Sequence, residues 1–229
     1  MGQTVWIARH GIRLDFVNPA WLKTAERFYD SPLSVDGFKQ AQALGRYLKG
    51  KEVVHIFCSP FLRTVQTAHC IAEILDLQVK VESGLSEFLF PLWLPPGAEE
   101  FSIEKLAVLF PRIDQKYTSF VRAKYPEITL QQIRERAGNT ADNLVKHFSE
   151  TILIVGHEAS VVGAVQGLVN QVPSLNASKL CCLFKVVQSD LEWNLENHDY
   201  TPNPEGDSSH LPLTYYRNHL KRRLQTIWD

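Results

Sequence analysis

The chain has 229 residues, 45 % of them hydrophobic and 21 % charged, with 24 Lys+Arg against 25 Asp+Glu for a formal net charge of −1. This is globular composition with enough apolar content for a sizeable core, and it excludes general disorder. The charge balance argues against a general nucleic-acid binder, which needs excess cationic charge, but it allows one concentrated cationic pocket.

Residues 4–8 (TVWIA) are a short apolar, β-branched run that stops at Arg9-His10-Gly11, which reads as a buried strand ending in a loop. Residues 19–33 carry Pro19 and Pro32 and read as irregular. Ser34 is a candidate N-cap for a helix with Ala41, Leu44, Tyr47 and Leu48 at helical spacing, and Gly50 is its candidate C-terminal stop. Residues 53–58 (VVHIFC) predict a second buried strand. Ser59-Pro60 turns the chain into a helix over about 61–75, followed by a short strand over 78–82.

Residues 84–116 hold Pro91, Pro95, Pro96, Pro111 and Gly97 with the aromatic cluster Phe88, Phe90 and Trp93. They predict a lid-like insertion with one short helix near 102–109. Helices are expected at about 115–125 and 129–148, separated by Pro126. Residues 151–155 (TILIV) predict a third buried strand that ends at Gly156-His157, with a helix starting near Ala159. Strands follow at 180–187 and near 190–196. From about 198 an irregular tail leads to a short basic helix near 215–226 bearing Arg217, Lys221, Arg222 and Arg223. That helix reads as a solvated face rather than a docking site.

Strands alternating with helices imply an α/β chain with a mostly parallel central sheet and helices on both faces, in one domain over 1–229. The four cysteines, Cys58, Cys70, Cys181 and Cys182, form no C-x-x-C pair. They read as buried free thiols of a reducing compartment rather than a zinc site or disulfide framework. No signal peptide and no membrane span are expected, because the apolar stretch 152–169 is interrupted by His157 and Glu158. The expected location is the cytoplasm.

In a parallel sheet, ligands bind beyond the carboxyl ends of the strands. Those ends carry Arg9, His10 and Arg13, then Ser59 and Arg63, then His157, with Glu87 in the loop after the 78–82 strand. Taken singly, each is an ordinary surface or loop residue. Brought to one edge, they gather cations that call for an anion, and guanidinium groups suit phosphate. A histidine among cations stays neutral at physiological pH and can attack phosphorus in line. The arginines stabilise the equatorial oxygens. Glu87, beside Phe88 and Phe90, is the candidate acid for the leaving group, its pKa expected to be raised by apolar neighbours. No metal or other cofactor is required.

Arg9-His10-Gly11 resembles the signature of the histidine phosphatase (phosphoglycerate mutase-like) superfamily. Ser34-x-x-Gly37, then Cys58-Ser59-Pro60-x-x-Arg63-x-x-Gln66-Thr67-Ala68, then Val155-Gly156-His157 resemble its later blocks in the same order, over roughly residues 3–167. The resemblance implies a three-layer α/β/α sandwich and a phosphohistidine mechanism. It makes His10 the nucleophile and Glu87 the proton donor, with His157, Arg9 and Arg63 on the phosphoryl group. Mutases usually continue Arg-His-Gly with Glu-Ser, whereas this chain has Ile12-Arg13-Leu14-Asp15. Arg13, Asp15 and the 84–88 segment look more like the phosphatase domains of suppressor-of-T-cell-receptor-signalling proteins and ecdysteroid-phosphate phosphatases, which place an extra arginine by the phosphate.

The expected activity is therefore a phosphomonoesterase, with a mutase or a weakly active phosphate-binding protein as the alternatives. Its substrate would be a phosphorylated small molecule or a phosphotyrosine-like group, with no nucleic-acid or membrane partner. The family's phosphatases are often homodimers, and the resemblance admits that state.

Overall fold

The first strand, β1 (Thr4–Arg9), is buried on both faces from Val5 onward, as expected for a central strand of a parallel sheet. The structure is a computed structural model that describes residues 2–169, 177, 179–190 and 192–200. After β1 come α1 (Leu14–Val17), a 3-10 turn at Pro19–Lys23, α2 (Val35–Leu48), β2 (His55–Cys58) and α3 (Leu62–Leu75). Then follow β3 (Val79–Val81), a 3-10 turn at Ser83–Leu85, α4 (Ile103–Leu109) and α5 (Leu130–His147). The described chain continues through β4 (Ile152–Gly156), α6 (Glu158–Leu168), β5 (Leu183–Ser189) and β6 (Glu192–Tyr200).

Among the described residues the strands form one sheet in the order β3-β2-β4-β1-β5-β6. The β1–β4, β2–β4 and β2–β3 pairs are parallel, as expected. β5 joins β1 antiparallel and β6 joins β5 antiparallel, so the far edge is a hairpin. The alternation of side chains sorts the strands into two cores. Val5, Ile7, Ile152 and Ile154 pack with Ala141, Leu144, Val161 and Val165 of α5 and α6. Trp6, Ala8, Leu153 and Val155 pack with Leu44, Leu48, Val65, Ala68 and Ile71 of α2 and α3. The result is the three-layer α/β/α sandwich.

Local signals explain the joints. Ser34 caps α2 by accepting the Gly37 N–H at 3.1 Å. Gly37 is required by contact rather than conformation, because a Cβ there would lie 2.2 Å from the Ile12 carbonyl oxygen. α2 is thereby pressed against the loop that follows β1. Gly50, just past α2, has φ +78°, the left-handed stop expected of it.

Two expectations are corrected, for 115–125 and 19–33. Residues 115–125 form no helix. The buried Glu82 carboxylate instead takes the Tyr117 hydroxyl at 2.6 Å and the Phe120 and Val121 N–H groups at 2.9 and 3.2 Å, which ties the segment down as a strap. The 84–116 segment contains the short helix expected near 102–109, α4, between two further parts. Its first part packs its own side chains, with Leu89 and Leu94 against Phe61. Its second part covers the sheet edge, since Asp114 N–H donates to the Val79 carbonyl and Val79 N–H to that of Arg112. The 19–33 segment, read as irregular, contains the 3-10 turn.

The four cysteines are buried and unpaired, as expected. Among the described residues, no helix is long and apolar enough to cross a membrane. The basic helix expected near 215–226 lies outside the described residues.

Candidate active site

The parallel strands end together. Arg9 is in register with Gly156, and Cys58 with both Val155 and Val81. The next residues are therefore neighbours: His10 N–H donates to the Gly156 carbonyl, and Ser59 N–H to that of Val155, both at 3.1 Å. The His10 and His157 rings lie 5.4 Å apart between centroids. Arg63 projects from the first turn of α3. The N-terminus of α3 has no cap of its own and is closed by Asp30, which accepts the Leu62 N–H at 2.8 Å.

His10 is buried, with Nδ1 2.7 Å from the Gly11 carbonyl oxygen. A carbonyl only accepts, so Nδ1 carries the proton and Nε2 keeps its lone pair. Burial pushes the His10 pKa well below its ordinary value, and the charges of Arg63, Arg9 and His157 push the same way. The imidazole is neutral at physiological pH, as the sequence implied. Thr67 accepts the Gly11 N–H at 3.2 Å and Gln40 the Ile12 N–H at 2.9 Å, which fixes the loop carrying it.

His157 begins α6, and its Nε2 is 2.7 Å from Ser59 Oγ. Its Nδ1 lies 3.3 Å from Glu87 Oε2. Burial lowers its pKa to about 4, Glu87 opposes the shift, and Arg63 and Arg13 reinforce it. Glu87 Oε2 also accepts from Arg63 Nη2 at 2.9 Å. Here the sequence expectation is corrected. Burial does raise the Glu87 pKa, but His157, Arg63 and the Phe88 N–H outweigh it and hold the carboxyl well below the usual range.

Arg63 is 1 % exposed, and its Nε and Nη1 have no hydrogen-bond partner, although Asp30 stands 3.8 Å from Nη1. His157 Nδ1 is likewise buried without a well-aligned acceptor. The cations are not as unmatched as the sequence suggested. Arg9 pairs with Glu158 at 3.1 Å and donates to the Ala177 carbonyl, while Arg13 grips Asp15 with Nε at 2.9 Å and Nη2 at 2.6 Å. Asp15, Asp30 and Glu158 are the acids that match them, and Asp30 lies in the 19–33 segment, away from the strand-end motifs. Buried, preorganised guanidinium and imidazole donors beside a neutral histidine of fixed tautomer are chemistry suited to a phosphoryl group.

The family model described as "Histidine phosphatase superfamily (branch 1)" matches residues 5–200. The chain belongs to the histidine phosphatase superfamily. It is 31 % identical over 153 residues to mouse ubiquitin-associated and SH3 domain-containing protein B, an alignment covering 58 % of this chain and 22 % of that protein. It is 27 % identical over 244 residues to the ecdysteroid-phosphate phosphatase of Drosophila melanogaster, covering 86 % of this chain and 32 % of the relative. The chain thus spans between a fifth and a third of these curated relatives. The crystal structure of the Bombyx mori ecdysone phosphate phosphatase with tungstate superposes with a TM-score of 0.72 at 21 % identity, covering 93 % of this chain and 99 % of that one.

One feature of this superfamily member escaped the sequence reading. Arg136 of α5 and Glu127 form a buried bidentate pair, at 2.7 and 2.8 Å, beneath the segment carrying Glu87. The signal was available, because Arg136 falls on the helix face defined by Ile133, Ala137, Thr140 and Leu144, where a charge needs a reason. Phe88 and Phe90 stack at 5.2 Å and Trp93 meets both edge-on, so these rings pack one another.

Proposed function

We propose that the chain is a metal-independent phosphomonoesterase that works through a phosphohistidine on His10. The observation that carries this reading is the set of buried, unpartnered donors, Nε and Nη1 of Arg63 and Nδ1 of His157, beside a neutral His10 whose proton is fixed on Nδ1. The likeness to phosphatases supports it.

In this reading Arg9, Arg63 and His157 hold the phosphoryl group, and Arg13, steadied by Asp15, adds positive charge at the rim. His10 Nε2 attacks phosphorus in line and the ester P–O bond breaks. Its electron pair goes to the leaving oxygen, which takes a proton from Glu87. Water then attacks the phosphohistidine and gives a proton to the Glu87 carboxylate, and inorganic phosphate departs with His10 restored. Glu87 is ionised while Arg63 Nη2 holds it. A phosphate dianion that takes over that contact releases the carboxyl, which then binds the proton it must later donate.

The substrate class is a phosphate monoester, either a phosphorylated small molecule or a phosphotyrosine-like group. The four unpaired thiols support a reducing compartment such as the cytoplasm. The deciding experiment is hydrolysis of p-nitrophenyl phosphate with EDTA present, for the wild type and His10→Ala. Turnover that is lost in the variant is expected. Turnover retained by His10→Ala would remove the phosphohistidine. Turnover abolished by EDTA in the wild type would remove the metal-free mechanism. Phosphate binding without turnover would favour the phosphate-binding or mutase alternatives.

A further inference from the structure

We propose that Arg136 is a positioning residue that sets the Glu87 carboxyl in place by gripping the backbone on which it is carried. The proposal rests on the reading of Glu87 as proton donor.

Residues 86–90 belong to no helix or strand, so no ladder of backbone bonds fixes them. Arg136 supplies that order from beneath. Nη1 donates to the Gly84 carbonyl at 2.8 Å and to that of Ser86 at 3.1 Å, and Nη2 donates to the carbonyl of Glu87 itself at 3.1 Å. The remaining two donors go to Glu127, so all five N–H groups of the guanidinium are used. Glu127 grips the same segment from its other end. Its Oε2 accepts the Leu89 N–H at 3.0 Å, and its own N–H donates to the Leu89 carbonyl at 3.0 Å. Residues 84–89 are thus bracketed by one buried ion pair mounted on α5 and the loop before it.

A buried ion pair is costly to desolvate and is a weak source of stability compared with apolar packing. This one spends three of its five guanidinium hydrogen bonds on the carbonyls of the acid loop, so its effect falls on where Glu87 sits. An ammonium group at position 136 would keep the charge but lose the planar fork that reaches three carbonyls at once. A misplacement of about 1 Å in a catalytic group costs on the order of hundredfold in rate.

The test compares p-nitrophenyl phosphate, whose leaving group departs unprotonated, with phenethyl phosphate, whose alkoxide needs the proton. In Arg136→Lys, kcat/KM, which reports formation of the phosphohistidine and not its hydrolysis, is expected to fall about tenfold or more for the alkyl ester and less than about threefold for the aryl ester. Glu87→Gln is expected to show the same selectivity. Adding Arg136→Lys to Glu87→Gln is expected to cause no further selective loss, since the two act through one group. Equal losses of kcat/KM on both substrates in Arg136→Lys, or losses that simply add in the double variant, would overturn the proposal. If Arg136→Lys does not fold, Glu127→Gln takes its place with the same expectation and the same refutation. An unselective Glu87→Gln would instead remove Glu87 as donor and the proposal with it. A selective Glu87→Gln beside an unselective position 136 would remove Arg136 alone.

Discussion

The carboxylate of Glu87 is bonded to the guanidinium of Arg63 at 2.9 Å, on the buried cation that the proposed phosphoryl group would need. The protein supplies its own anion to the proposed anion site. An incoming phosphate must exchange with that carboxylate, and the exchange moves a proton. Binding of tungstate at pH 7–8, where this dianion does not itself titrate, is expected to take up protons, because Glu87 loses the Arg63 guanidinium that keeps it ionised. Calorimetry in buffers of different ionisation enthalpy measures the uptake. Equal uptake by wild type and Glu87→Gln would remove Glu87 as its source.

Arg63 is the proposed centre of anion affinity. Arg63→Ala removes buried charge-assisted donors and is expected to weaken tungstate binding by about hundredfold, and Arg9→Ala severely as well. Titration by calorimetry reads both. A loss of less than threefold in Arg63→Ala would take that residue out of the anion site.

Acid should destabilise the fold in a definite window. His157 has its pKa lowered from an ordinary 6.5 to about 4, chiefly by burial. The unfolded chain therefore binds the proton first as pH falls, and stability is lost progressively from about 6.5 down to about 4. The shift corresponds to about 3 kcal/mol, and His10, lowered in the same direction, adds to it. Glu87, held low, contributes stability that disappears only as pH falls further through its own depressed value. Urea midpoints between pH 7 and 4 test this, and a flat profile from 6.5 to 4.5 would contradict the buried neutral imidazoles.

Gly37→Ala places a methyl group 2.2 Å from the Ile12 carbonyl oxygen, a backbone atom that cannot swing aside. The expected cost is about 1–3 kcal/mol, the range for overpacking a tight contact, read from thermal denaturation. Tungstate affinity should fall too, because the displaced loop carries His10. An unchanged melting temperature would show that α2 is not seated on that loop as described.

Much of the site was legible because it obeys a local rule. Apolar runs that stop at Arg9-His10, Ser59-Pro60 and Gly156-His157 mark the ends of β1, β2 and β4, and parallel pairing brings those ends together. Arg63 followed from its place one turn into the next helix. The illegible parts depend on partners distant in sequence. Nothing near Glu82 announces that its carboxylate will claim the backbone of residues 120–121 and prevent a helix there. The antiparallel direction of β5 and β6 is a property of the connection, not of the apolar runs. The ionised state of Glu87 is set by Arg63 and His157 rather than by the phenylalanines beside it, and those partners meet it only in the folded chain.

The four buried cysteines have one more consequence. Burial pushes every one of their thiols up, Cys70 to about 11, and Cys58 and Cys181 beyond it. A thiol that does not ionise hardly reacts, so the intact molecule should ignore an alkylating reagent. Labelling then waits on opening of the surrounding structure. Cys58 lies in β2, Cys70 in α3, and Cys181 and Cys182 just before β5. The order in which they become labelled would time the loosening of the central sheet, a covering helix and the edge hairpin, from probes the native chain already contains.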